Sequence, residues 1–155
     1  MKAKKTAQNI LNHDIFIVWQ PEFNIGIPII DEQHRGLVTT INSIYYEIQN
    51  RRNGRRSSML RPAINMLNKY IFIHFSTEEY FFEKYDYPQA EEHCKLHREL
   101  EHTLRSDGMR KLQNQEPEKF LEFIKTLWLE HIRGADLQFK DHIKEYLYDR
   151  ATMCL

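Results

Sequence analysis

Cysteine is scarce in this chain, long apolar runs and an excess of either charge are missing, and each shortage excludes something. Cys94 and Cys154 are the only cysteines. Their spacing fits no zinc motif, and in a reducing compartment they read as free thiols. Acidic and basic residues balance at 22 each, so no overall field favours nucleic acid or an anionic membrane. No apolar run approaches the roughly 20 residues that span a bilayer, so membrane insertion is not expected. The start, Met1-Lys2-Ala3-Lys4-Lys5, has the charge of a signal peptide. Gln8, Asn9, Asn12, His13 and Asp14 then interrupt any apolar centre, and the reading is a cytoplasmic protein. There is no internal repeat and no low-complexity linker, and 155 residues suit one domain with one core.

What remains is periodic. Residues 1–30 lack a helical period and hold Pro21, Gly26 and Pro28 among Trp19, Phe23, Ile25, Ile27, Ile29 and Ile30. They read as an extended arm packed on the body. From Asp31, a plausible cap or first-turn acid, the period becomes helical. His34, Leu37, Ile41, Ile44 and Ile48 form one stripe, ending near Asn50 before Asn53-Gly54. A second stripe runs Leu60, Ile64, Leu67, Ile71, His74, Glu78, Phe81, Tyr85, with Ser57 or Ser58 as candidate cap and Pro62 tolerated in the first turn. Asp86-Tyr87-Pro88 stops it. The third stripe is Ala90, His93, His97, Leu100, Leu104, weakening at Asp107-Gly108, so that 109–115 reads as a frayed extension or a loop. Pro117 opens a fourth, with Phe120, Ile124, Leu127 and His131. Gly134 interrupts it, and a shorter piece from Asp136 to Arg150 carries Phe139, Ile143 and Leu147. Four amphipathic helices with short loops predict an all-α, up-down-up-down four-helix bundle over 31–155, with the arm over 1–30 and a short C-terminal helix.

The informative residues are polar ones on apolar stripes: His34, His74, Glu78, His93, His97 and His131. A buried polar group without a partner costs about 2–7 kcal/mol, and a domain is stable by only about 5–15 kcal/mol. A metal would supply partners for all of them at once. His74/Glu78 and His93/His97 are i, i+4 pairs on one helix face. His131 and Asp136 are five apart and would diverge by about 140° on an unbroken helix. Both face inward only if the helix ends or distorts between them, most easily at Gly134. A lone histidine on an apolar face is ordinarily a satisfied core residue, but four helices each contributing one points to metal. His13, His102 and His142 lie off the stripes and read as surface residues. Arg51-Arg52 and Arg55-Arg56 read as a solvated loop.

At this point the chain resembles the hemerythrin family, in particular its bacterial single-domain type. The resemblance rests on Trp19-x-x-x-Phe23-x-Ile25-Gly26-x-x-x-Ile30-Asp31-x-Gln33-His34, His74-Phe75-x-x-Glu78-Glu79, His93-x-x-x-His97 and Trp128-x-x-His131-Ile132-x-x-x-Asp136. It implies two iron ions with an oxo or hydroxo bridge. His93, His97 and His131 would bind one iron, His34 and His74 the other, and Glu78 and Asp136 would bridge them. Of about twelve octahedral positions one would stay open, on the iron with two histidines. The implied function is reversible binding of dioxygen for transport, storage or delivery, with no catalytic side chain. Ile41, Phe75, Phe81, Trp128 and Ile132 lie within a turn of ligands and are candidates for the oxygen-pocket wall. Alternatives are a free-standing oxygen or redox sensor, a di-iron oxidoreductase acting on peroxide, nitric oxide or ferrous iron, and a metal-free or zinc-bound interaction bundle. The chain is expected to be a monomer or weak oligomer; its protein partner is not indicated.

Overall fold

The computed structural model describes residues 15–54 and 58–153, with side chains to residue 146. The described residues are helical with no strand. A single 3₁₀ turn, Pro21–Phe23, precedes α1 (Pro28–Arg52). Helix α2 spans Leu60–Lys84. The third rod is α3 (Ala90–Thr103), a widened π turn (Leu104–Gly108) and α4 (Met109–Gln113). The fourth is α5 (Pro117–His131), a second π turn (Ile132–Asp136) and α6 (Leu137–Met153). Consecutive rods run antiparallel. Gln33 of α1 meets Thr77 of α2, and Ile48 near the end of α1 shares a groove with Leu60 at the start of α2. The fourth rod closes the bundle on the first, with His34 beside Asp136 and Arg52 beside Glu118.

The differences from the sequence reading lie at the ends and turns. Helix α1 starts at Pro28, three residues before the period changes, because proline at the first position needs no N–H partner and already has a helical φ. Asp31 is the first-turn acid rather than the cap. Its carboxylate turns back to accept the Ile25 N–H at 2.7 Å and the Gly26 N–H at 3.2 Å, which fastens the arm to the helix. The φ of +93° at Gly26 makes that return possible. The residue before α2 is Met59, with no side-chain cap, so Ser58 does not cap the helix; Ser57 lies outside the described residues, as do residues 1–14 of the arm. Residues 109–113 are helical, since the π turn at 104–108 carries the third rod past Asp107-Gly108. Gly134 likewise does not end the fourth rod, and α6 has 17 residues against 15 in α5.

The stripes face one another as the periodicity predicts. Leu37, Ile41, Ile44, Ile48, Leu60, Ile64, Leu67, Phe120 and Ile124 are buried. They form the larger apolar cluster together with Ile17 and Phe23 of the arm. A smaller cluster holds Ile25, Ile27, Ile30, Phe82, Tyr87, Phe139 and Ile143. Here the inward residue of α2 is Phe82, while Phe81 is half-buried and lies near Lys84. Four residues after the inward Glu78 lies nearer the same face than three. His142 is half-buried rather than a surface residue, and its ring nitrogen lies 2.7 Å from the Tyr85 carbonyl. His102 is exposed.

Candidate metal centre

Each rod sends donors into one layer between the two clusters. His34 comes from α1, His74 and Glu78 from α2, His93 and His97 from α3, His131 from the end of α5 and Asp136 from the π turn that follows. His34, His74, Glu78 and Asp136 are fully buried, and none of the other three exceeds 4% exposure. The π turn resolves the phase problem of the fourth rod. Its i→i+5 bonding widens one turn, so residues five apart share a face. The Nε2 of His131 consequently lies 3.1 Å from Asp136 Oδ1.

The donors form two overlapping groups, Glu78-His93-His97-His131 and His34-His74-Glu78-Asp136, each with atoms within 4.8 Å of one another and able to hold a metal ion. Glu78 belongs to both; its Oε2 lies 3.2 Å from His97 and 3.6 Å from His74. Asp136 divides its oxygens between them. Oδ1 is 3.3 Å from His93, whereas Oδ2 is 3.4 Å from His34.

The outer edges of three rings are pinned. His34 Nδ1 lies 3.0 Å from the Phe23 carbonyl, His74 Nδ1 3.3 Å from Gln33 Oε1, and His97 Nδ1 3.0 Å from Glu79 Oε1. These oxygens only accept, so each Nδ1 carries the proton and each neutral ring presents an Nε2 lone pair inward. Gln33 is oriented in turn because its amide N–H donates to Thr77. Gln33 and Glu79 stand in the sequence motifs, but their roles were not found from the sequence, because the pairings with His74 and His97 cross between helices.

Without a cation this layer is badly unsatisfied. All five Nε2 atoms and all four carboxylate oxygens are buried and make no hydrogen bond. Burial raises the carboxyl pKa of Glu78, but His74, His131 and His97 outweigh it and hold the group well below its usual range. At Asp136 burial and Glu78 also push upward, and His131, His34 and His93 override them, leaving a value of about 2. Burial lowers His74 to about 4. At His34 and His131 burial is outweighed by the carboxylates, and both sit above the ordinary histidine value. Two buried carboxylates stay ionised, and inward-facing nitrogens compete for too few protons. Cations bound by imidazole and carboxylate satisfy both needs.

Residues 25–143 match the Hemerythrin HHE cation binding domain family. The chain belongs to the hemerythrin family. It is 31% identical over 139 residues to the Bacteriohemerythrin of Stenotrophomonas maltophilia (strain R551-3), covering 84% of each chain. Against the Bacteriohemerythrin of Pseudomonas aeruginosa (strain LESB58) it is 28% identical over 129 residues, 83% of this chain and 82% of that one. A Hemerythrin-like protein of Naegleria gruberi is 26% identical over 122 residues, 79% of this chain and 89% of that one. The match to the hemerythrin family spans all seven donors.

Among the described residues, two openings reach the donor layer of this hemerythrin-family chain. One is an apolar cavity of about 40 Å³ whose wall includes Leu37, Ile41, Phe75, Ile124, Trp128 and His131. Of the five pocket-wall candidates, Ile41, Phe75 and Trp128 line it; Ile132 sits fully buried in the larger cluster and Phe81 lies with the smaller one, and neither lines it. The other is a polar cleft of about 340 Å³ beside His93. Among the described residues no helix is long and apolar enough to cross a membrane.

Proposed function

We propose that the protein binds dioxygen reversibly at two iron ions held by His34, His74, Glu78, His93, His97, His131 and Asp136, and serves as an oxygen carrier, store or delivery protein in the cytoplasm. The observation that carries this reading is the set of nine orphaned donor atoms, arranged as two groups that share Glu78. His93, His97 and His131 would hold one ion and His34 and His74 the other, with the two carboxylates between them. Bound iron would supply the electrons and Lewis acidity that dioxygen binding requires.

The chain's own residues do the rest. His34, His74 and His97 are oriented by acceptors on their outer nitrogens, so the donors are set before any ion arrives. Five neutral imidazoles and only two carboxylates favour the lower oxidation states, whereas carboxylate-rich di-iron sites suit oxygen activation. The cavity wall of Leu37, Ile41, Phe75 and Trp128 supports the same conclusion. A void of this size and apolar character stays dry while admitting a small apolar gas. Excluding water protects the centre from loss of electrons to side reactions.

The test is to mix anaerobic, reduced protein with air while recording the visible spectrum. A carrier develops a charge-transfer band that disappears when the gas is removed, with uptake of about one dioxygen per pair of irons. Steady consumption of oxygen, or bleaching that does not reverse, would replace the carrier with an oxidoreductase. Purified protein without iron would end both readings.

A further inference from the structure

The two openings differ in chemistry, and each is closed by a histidine whose outer nitrogen is unpinned. Among the five donor histidines, only His93 and His131 leave Nδ1 without a hydrogen-bond partner. His131 lines the apolar cavity and His93 lines the polar cleft; His34, His74 and His97 line neither. His93 is the most exposed of the seven donors, at 4%. Its Nε2 faces Asp136, and its ring forms part of the cleft wall. The cleft also has Glu92 and Glu99 at its rim with one cation, Lys95, which lies 3.8 Å from Glu99. Gln89, Gln138 and Tyr87 add polar groups.

From this we infer that the polar cleft is the entry and exit port for the metal ions, with the His93 ring as its gate. The inference rests on the metal-centre reading above. A hydrated divalent cation cannot cross the apolar cavity without shedding its water against carbon, at a cost of many kcal/mol. In the cleft, carboxylates and amide oxygens replace that water in steps. Behind the His93 ring lie the carboxylates of Asp136, 3.3 Å from its Nε2, and Glu78, which shares its donor group, and they receive the cation. A ring whose outer nitrogen makes no hydrogen bond can swing aside, whereas the three pinned rings would each have to break a buried hydrogen bond. Gas and metal therefore reach the same layer by different routes.

Gly134 offers a clean test. It lines the cleft, its φ is ordinary, and a Cβ there meets nothing within 4 Å. Gly134→Leu therefore adds a side chain to the cleft wall from a Cβ that meets no neighbour. Ferrous iron is added anaerobically to metal-free full-length protein, and bound metal is followed by rapid desalting and metal analysis. Gly134→Leu should load about tenfold more slowly than the parent, the scale on which charged clefts change on-rates, yet reach the same final content. Leu104→Phe, which fills the apolar cavity, should load at the parent rate. By microscopic reversibility, loss of iron from loaded, folded protein to excess EDTA should slow in Gly134→Leu by the same factor. That second measurement holds even if the metal-free chain folds poorly. Parent-like rates in Gly134→Leu, or equal slowing in Leu104→Phe, would overturn the port and leave the metal centre standing. A parent protein that takes up no iron would overturn the metal centre, and the port with it.

Discussion

The apolar clusters on either side of the donor layer are built from different side chains. The larger has an aliphatic body, with Leu37, Ile41, Ile44, Leu67 and Ile124, and meets the His34 and His74 rings through Trp128. The smaller is aromatic, with Phe82, Tyr87 and Phe139 rings 4.7–5.3 Å apart and Phe82 4.6 Å from the His93 ring. Branched chains pack around a small void, whereas tilted and edge-to-face rings wedge tightly. One side therefore contains a gas-sized cavity, and the other sets the His93 ring beside an aromatic wall at the edge of a polar cleft. Seven donors alone do not distinguish the two approaches to the metal; the walls do.

The largest expected effect removes the layer itself. Asp136→Ala should lose both of the proposed irons, because its two oxygens face different histidine sets; metal analysis that still found two per chain would break the division into two groups. Next come the clusters. Phe139→Ala and Phe120→Ala should each cost about 3–5 kcal/mol in urea unfolding, since both are fully buried. Only Phe139→Ala should also weaken iron retention, through Phe82 and the His93 ring. Equal retention in the two variants would mean that the aromatic side has no special hold on the site. A smaller effect is expected at the arm. Asp31→Ala leaves the Ile25 and Gly26 N–H groups without their acceptor and should lower stability by about 1–3 kcal/mol, read from the denaturation midpoint. The smallest is Lys95→Ala at the cleft rim, within about 0.5 kcal/mol of the parent in the same assay, because Lys95 and Glu99 are both largely solvated.

Much of this molecule is readable in one dimension. The 3-and-4 spacing of Leu37, Ile41, Ile44 and Ile48, and of Leu60, Ile64 and Leu67, marks inward faces because a helix repeats every 3.6 residues. The same spacing places His74 with Glu78 and His93 with His97. Readings failed where two local choices were nearly equal. Phe81 and Phe82 are both close to the stripe, and packing against Tyr87 and Phe139 decided for Phe82. Gly108 and Gly134 carry a breaking signal, but neighbouring rods hold the chain helical through a widened turn. His142 looked exposed because its partner, the Tyr85 carbonyl, is distant in sequence.

The amino-acid order by itself determined that the chain would be helical, that four helices would each present donors on an apolar face, and that the fourth would need a distortion between His131 and Asp136. These follow from local periodicity, which is a property of near neighbours along the backbone. Only the tertiary structure decided how Asp136 divides its oxygens, which rings are pinned by Phe23, Gln33 and Glu79, and which side chains line an apolar cavity or a polar cleft. Those outcomes depend on ångström-scale distances between residues far apart in the chain, and no local pattern encodes such distances.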